Sequence, residues 1–312
     1  MKRRTITIPV ALLLTAGLAA CGGQAEGANG GEVVTDGSST VEPLTSAAGE
    51  LFAEENSAVD VSVGTSGTGG GFEKFCLGDT DLSNASRPIK ADEEVPVCEE
   101  NGVDFTELHV ANDALTVVVS TENDFLTCLT TEELATLWGP DAEGEVTTWD
   151  QVNPEFPDEE IELFGPGTDS GTFDYFTDEI NGEEGASRSD YNASEDDNVI
   201  VQGVSGSPNA LGYFGFTYYE ENADTLRAVE IDSGDGCVAP SVEAAQDGSY
   251  TPLARPLFVY VNDASYADKA HVRQFVDFYV ANVKPIAEAA QFIPLNDEQV
   301  TELETAAGSI GK

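Results

Sequence analysis

The sequence predicts an α/β protein built as two lobes, and three observations carry that prediction. Helical and extended patterns alternate along the chain without an internal repeat, the mark of sheet and helix layers wound together. Two long apolar extended stretches, residues 114–119 and 257–261, each follow a change of character in the chain and read as crossovers between lobes. Three separated Gly/Ser/Thr clusters, Ser38-Ser39-Thr40, residues 64–71 and residues 167–172, each follow a short apolar stretch at a point where a helix opens.

Taken in order, Glu32-Val33-Val34 reads as extended and residues 41–54 as a helix, and 59–63 as a strand feeding the second cluster, with a short helix over 72–77 behind it. Thr130-Thr131-Glu132-Glu133 has the form of a capping box before Leu134 and Leu137. Val272, Phe275, Val276 and Tyr279 fall at helical spacing inside 268–282. Residues 181–198 are polar and acidic and read as a loop. One lobe then comprises residues 32–113 and 253–312 and the other 114–252, with a cleft between them.

The N-terminus says where the chain works. Lys2-Arg3-Arg4 precede an apolar run from Ile6 to Ala20 that ends in Leu18-Ala19-Ala20-Cys21, too short and too soon followed by Gly22-Gly23 for a membrane span. Residues 1–20 read as an export signal. The lipobox-like ending implies cleavage before Cys21, acylation of its sulfur, and a flexible tether over 21–31. The remaining chain is then exported, held to the outer face of the cytoplasmic membrane or in the periplasm.

Removing Lys2, Arg3 and Arg4 from the 13 basic residues leaves 10 against 58 acidic ones, a formal charge of −48 on the mature chain. Such a charge excludes nucleic acid as a partner and places most carboxylates on a solvated exterior. Four cysteines remain beyond Cys21, an even number in an exported chain, which points to disulfides. Spacing does not fix the pairing, but Cys76–Cys98 and Cys128–Cys237 would each stay inside one lobe. Metal binding is disfavoured, because there is no Cys-x-x-Cys and the only histidines are His109 and His271.

The three clusters suggest an anion site. A helix start offers free backbone N–H groups and partial positive charge, so hydroxyl-bearing residues converging there can surround a small oxyanion. Screening over roughly 8 Å lets such local donors and one or two arginines outweigh distant carboxylates. An enzyme reading fares badly. The glycine run at 67–71 lacks the Lys-Ser/Thr of a P-loop, and Ser170 is not flanked as a Gly-x-Ser-x-Gly elbow. No cofactor is expected.

Several stretches resemble the phosphate-binding lipoproteins of the PstS type, which deliver phosphate to an ABC importer. They are residues 36–41 (Asp-Gly-Ser-Ser-Thr-Val), 67–72 (Gly-Thr-Gly-Gly-Gly-Phe), 81–89 (Asp-Leu-Ser-Asn-Ala-Ser-Arg-Pro-Ile) and 165–173 (Gly-Pro-Gly-Thr-Asp-Ser-Gly-Thr-Phe), with 185–191 and 210–215 similar as well. The resemblance implies a type II periplasmic-binding-protein fold, two α/β lobes joined by two crossover strands and closing over one phosphate. It implies contacts from Ser38, Ser39, Thr40, Ser66 and Gly67 in one lobe and from Ser170, Gly171 and Thr172 in the other. It also implies a monomer whose protein partners are permease subunits.

The sequence departs from the best-known members at two places. Pro166 stands where they carry an arginine, and Arg87 where they carry an aspartate. Arg87 is expected to grip the anion in exchange, with Arg188 as a second candidate cation. Asp169 or Asp36 is a candidate for the missing carboxylate, with Asp36 better read as a turn residue. Sulfate, molybdate or tungstate binding and a sensor without a transport role remain the competing functions.

Overall fold

The computed structural model describes residues 30–168 and 170–312. The leader, Cys21 and Asp169 lie outside the described residues, so the readings placed on them are not addressed by the fold. Among the described residues no helix is long and apolar enough to cross a membrane.

Parallel strands build the first half of the sheet. Strand Gly31–Gly37 pairs with Val59–Val63 on one side and Leu82–Ala85 on the other. The helices that return the chain, Glu42–Glu55 and Gly67–Cys76, bury Leu44, Ala48 and Phe52 in one case and Phe72 and Phe75 in the other. The first strand begins at Gly31, at the end of the expected tether, and the second helix begins at Gly67, five residues earlier than the apolar spacing suggested. Gly67 takes a left-handed backbone (φ +78), which only glycine adopts without strain, and this lets the helix start inside the glycine run.

The two crossovers are real strands and they pair with each other. Phe105–Ser120 runs antiparallel to Ala254–Asn262 over Phe105↔Asn262 to Ala114↔Ala254, and the later strand also pairs antiparallel with Leu82–Ala85 through Phe258↔Ala85. Beyond Ala114 the first crossover changes partner and pairs antiparallel with Ala210–Gly215. That strand in turn pairs parallel with Glu162–Gly165. One sheet of nine strands therefore passes through both lobes, and a separate three-stranded sheet of Cys128–Thr130, Glu230–Asp232 and Cys237–Val238 lies in the second.

The two largest of four apolar clusters lie on either side of this seam. One gathers Val33, Leu44, Phe52, Leu108, Val259, Phe275, Ile286 and Leu303. The other gathers Leu115, Val117, Leu137, Trp138, Trp149, Phe176, Leu211, Tyr213 and Leu253. The two-lobed α/β architecture is thus a consequence of where the long crossover strand switches partners. Residues 181–198 are mostly irregular, but the last of them already belong to the helix Asp197–Ser205, capped by Asp196. The expected 268–282 helix is Ala270–Ala281, preceded by a separate short helix Asp263–Asp268, and it buries the expected face of Val272, Phe275, Val276 and Tyr279.

Both disulfides are present as paired above. Cys76–Cys98 ties the Gly67–Cys76 helix to Val95–Asn101, and Cys128–Cys237 closes a separation of 109 residues across the small sheet. The Thr130 capping box forms, with Glu133 N–H donating to Thr130 Oγ1 and Thr130 N–H to Glu133. His109 lies within the first crossover, its Nε2 2.9 Å from Ala111 O, and burial lowers its pKa, the setting of an ordinary, partly buried histidine.

Candidate functional site

A cavity of about 320 Å³ opens between the lobes at the crossover seam. Its first wall is made by Ser38, Ser39 and Thr40, by Ser66 to Gly69, and by Ser86 and Arg87. Its second wall is made by Gly171, Asp174, Tyr175, Asp178, Glu179 and Glu184, and Arg255 forms part of its lining from the second crossover.

The first wall is assembled by the sheet. Ser38 N–H donates to Asn84 O at 2.9 Å, anchoring the turn that leads into helix Glu42–Glu55 at the end of the neighbouring strand. Asp36, one residue before Gly37, accepts from both the N–H (3.0 Å) and the hydroxyl (2.6 Å) of Ser66 and is ion-paired with Lys74. Burial alone would raise the Asp36 pKa, but these bonds from Lys74 and Ser66 outweigh it and hold the carboxyl below its usual range. Asp36 is therefore a fixed support that orients Ser66. Thr68 and Ser86 join across the same wall, Oγ to Oγ at 3.0 Å.

The second wall closes against the first through a glycine. A Cβ on Gly171 would lie 2.6 Å from Thr40 Oγ1, 3.1 Å from Thr40 N and 3.2 Å from Ser39 Oγ, so a side chain there would wedge the lobes apart. The rest of this wall is acidic. Burial first, and the nearby Glu184 charge next, raise the Asp174 pKa against the pull of Arg255, and Glu179 is raised by burial and Asp178.

Of the residues expected at the site, Ser38, Ser39, Thr40, Ser66, Gly67, Arg87 and Gly171 line this cavity. Ser170 does not: its hydroxyl accepts from Thr172 N–H at 3.2 Å and serves as the N-cap of helix Gly171–Phe176. Thr172 lines a different cavity of about 240 Å³ behind the hinge, with Asn112, Asp113 and Asp197. Arg188 is corrected outright. It is 5% exposed, and it is paired with Asp190 through Nε (2.5 Å) and Nη2 (2.9 Å) while donating to Leu137 O and Val146 O. A guanidinium so committed to packing lobe two has no reach into the cleft.

The sequence reading missed Arg255 and the carboxylates. Arg255 stands two residues before the apolar stretch already recognised as a crossover, so its position at the seam was the available signal. Asp174 follows the Ser-Gly-Thr cluster by two, on a helix whose first turn faces the cleft. Asp178, Glu179 and Glu184 had no distinguishing signal among so many acidic residues.

Residues 22–283 match a family model described as "PBP superfamily domain". The chain is 48% identical over 291 residues to "Protein SphX" of Synechocystis sp., covering 93% of this chain and 85% of that protein. It is 41% identical over 308 residues to "Phosphate-binding protein PstS" of Staphylococcus saprophyticus, covering 98% and 93%. Among solved structures, a "possible phosphate binding protein" of Planctomyces limnophilus superposes with a TM-score of 0.85 at 40% identity, over 91% of this chain and 99% of that one. A phosphate transport receptor of Vibrio cholerae has the same fold, with a TM-score of 0.63 at 18% identity. With its crossover-joined lobes and intervening cleft, the chain belongs to the PBP superfamily, in its PstS-type branch, a family of substrate-binding proteins rather than enzymes.

Proposed function

We propose that this protein captures inorganic phosphate in the interlobe cleft outside the cytoplasm and delivers it to the membrane permease of an ABC importer. The observation that carries the reading is the convergence of Ser38, Ser39, Thr40, Ser66 and Gly67 from one lobe and Gly171 from the other on a single cavity. Hydroxyls and backbone N–H groups at this density suit an oxyanion, which accepts at every oxygen. Relatives named as phosphate-binding proteins at 36–41% identity, and a neighbour at 40% named a "possible phosphate binding protein", favour phosphate among oxyanions.

In this reading the lobes are 32–113 with 253–312, and 114–252, hinged on the two crossover strands. The protein works as a monomer tethered through a lipid on Cys21. Equilibrium dialysis of the anion-stripped protein against labelled phosphate, with sulfate, arsenate and molybdate as competitors, tests it. Saturable phosphate binding that excess sulfate fails to displace is expected; preference for sulfate or molybdate would keep the fold and overturn the substrate. Stimulation of ATP hydrolysis by the cognate permease complex in vesicles, only with phosphate present, tests the transport half.

A further inference from the structure

Resting on the phosphate-capture reading, we propose that Arg255, not Arg87, is the cation that grips the anion, and that Asp113 positions it from the hinge. Three guanidinium groups could have served, and their hydrogen-bond accounts differ. Arg188 is spent inside lobe two, as described above. Arg87 is held by Glu94 in a two-pronged pair, Nη2 to Oε1 at 2.7 Å and Nη1 to Oε2 at 2.9 Å. Its Nη1 also donates to Pro88 O, and its guanidinium lies 5.6 Å from the Phe72 ring centre. Turning Arg87 onto an anion would leave Glu94 without its partner beside the newly bound negative charge, a cost that argues against the exchange.

Arg255 is differently placed. Its Nε donates to Asp113 Oδ2 at 3.3 Å and one Nη2 hydrogen to Thr40 Oγ1 at 3.0 Å. Both hydrogens of Nη1 and the second of Nη2 meet no protein acceptor among the described residues, although the side chain is only 14% exposed. What remains open is a fork of N–H groups at a cavity edge, the geometry that binds two phosphate oxygens at once. The guanidinium lies 3.5 Å from the Tyr175 ring centre, which fixes its plane, and Tyr175 is itself held by its hydroxyl on Pro252 O.

Location adds a second argument. Arg255 and Asp113 are cross-strand partners at the end of the paired crossovers, one step before the first strand changes lobes. Thr40 belongs to the first wall and Tyr175 to the second, so one arginine touches both lobes and the hinge. It therefore supplies positive charge whether the lobes are open or closed, which an arginine on either wall would not.

Calorimetric titration with inorganic phosphate of the wild type and of Arg255→Gln, Arg255→Lys, Arg87→Gln and Asp113→Asn decides it. Arg255→Gln is expected to lose about 100-fold in affinity, and Arg255→Lys about 10-fold, because a lysine restores the charge without the fork. Asp113→Asn is expected to lose about 10-fold through misaligned guanidinium, and Arg87→Gln no more than about threefold. If Arg255→Gln melts early, the comparison of Arg255→Lys with Arg87→Gln stands in its place. Near-wild-type affinity in the Arg255 variants, or a 100-fold loss in Arg87→Gln, overturns the assignment while leaving phosphate capture intact. A wild type that binds no phosphate overturns both.

Discussion

The two walls of the cleft are built from opposite chemistry. The wall of the first lobe is hydroxyls, backbone N–H groups and glycine, each tied into the sheet: Ser38 through Asn84, Ser66 through Asp36. The wall of the second lobe carries Asp174, Asp178, Glu179 and Glu184 and offers Gly171 as its point of approach. The difference teaches that the lobes divide the labour. The first is a wall held rigid by its own hydrogen bonds, whereas the second is a cover whose backbone comes close and whose side chains are acidic. Such a cover makes closure contingent on local donors outweighing an acidic field, and that field is weakened by salt.

The sharpest way to break the comparison is to stop the cover closing. Gly171→Val places methyl groups where Thr40 and Ser39 stand. We expect a loss of phosphate affinity of about 100-fold, roughly 2.7 kcal/mol, with the melting temperature close to wild type because the residue sits at the cavity edge. Unchanged affinity by calorimetry would mean that the second wall does not approach the ligand.

A smaller effect sharpens the role of the acidic wall. Asp174→Asn removes a charge that faces the cavity, and we expect a gain in affinity of about threefold to tenfold in dilute buffer that shrinks to nothing in concentrated salt. A loss of affinity instead would show that the carboxylate accepts a hydrogen bond from the ligand and belongs to the binding site.

The smallest effect concerns the same lobe behind the hinge. Burial first, and the charges of Asp196 and Glu195 next, push Asp197 up to about 6 from an ordinary 3.8. The native state then holds this proton more tightly than the unfolded chain does. The resulting stability is fully present below 3.8 and is lost as pH rises to about 6. Asp197→Asn should therefore be more stable than wild type by about 1 kcal/mol near neutrality, allowing for partial exposure, and the advantage should vanish in acid. Urea unfolding at both ends of that range reads it, and parallel curves for the two proteins would refute the shift.

How much of this was legible in the sequence follows the same division. The first wall could be read because it is local: clusters at helix starts announce themselves by residue type, and the crossovers by length and apolar character. Asp36 read as a turn residue and serves as a bracket for Ser66, a job that keeps it in the first lobe's framework. Of the second wall only Gly171 could be read, because a carboxylate at the cleft and one in solvent look alike in a chain with 58 of them. Ser170 shows the limit of motif reasoning, since its hydroxyl oxygen caps its own helix and the residue does not line the cleft cavity. Arg188 shows another, because burial against two backbone carbonyls is a tertiary fact. Arg255 was one inference away, given that its strand had been identified as a hinge.

The most direct test of the account is a crystal structure of the protein grown with phosphate. The account predicts one phosphate between the walls, within hydrogen-bonding distance of residues 38–40, Ser66 and Gly67, with Gly171 closing over it and Arg255 on its hinge side. A phosphate found in the cavity behind the hinge, or on the protein exterior with the cleft empty, would contradict it.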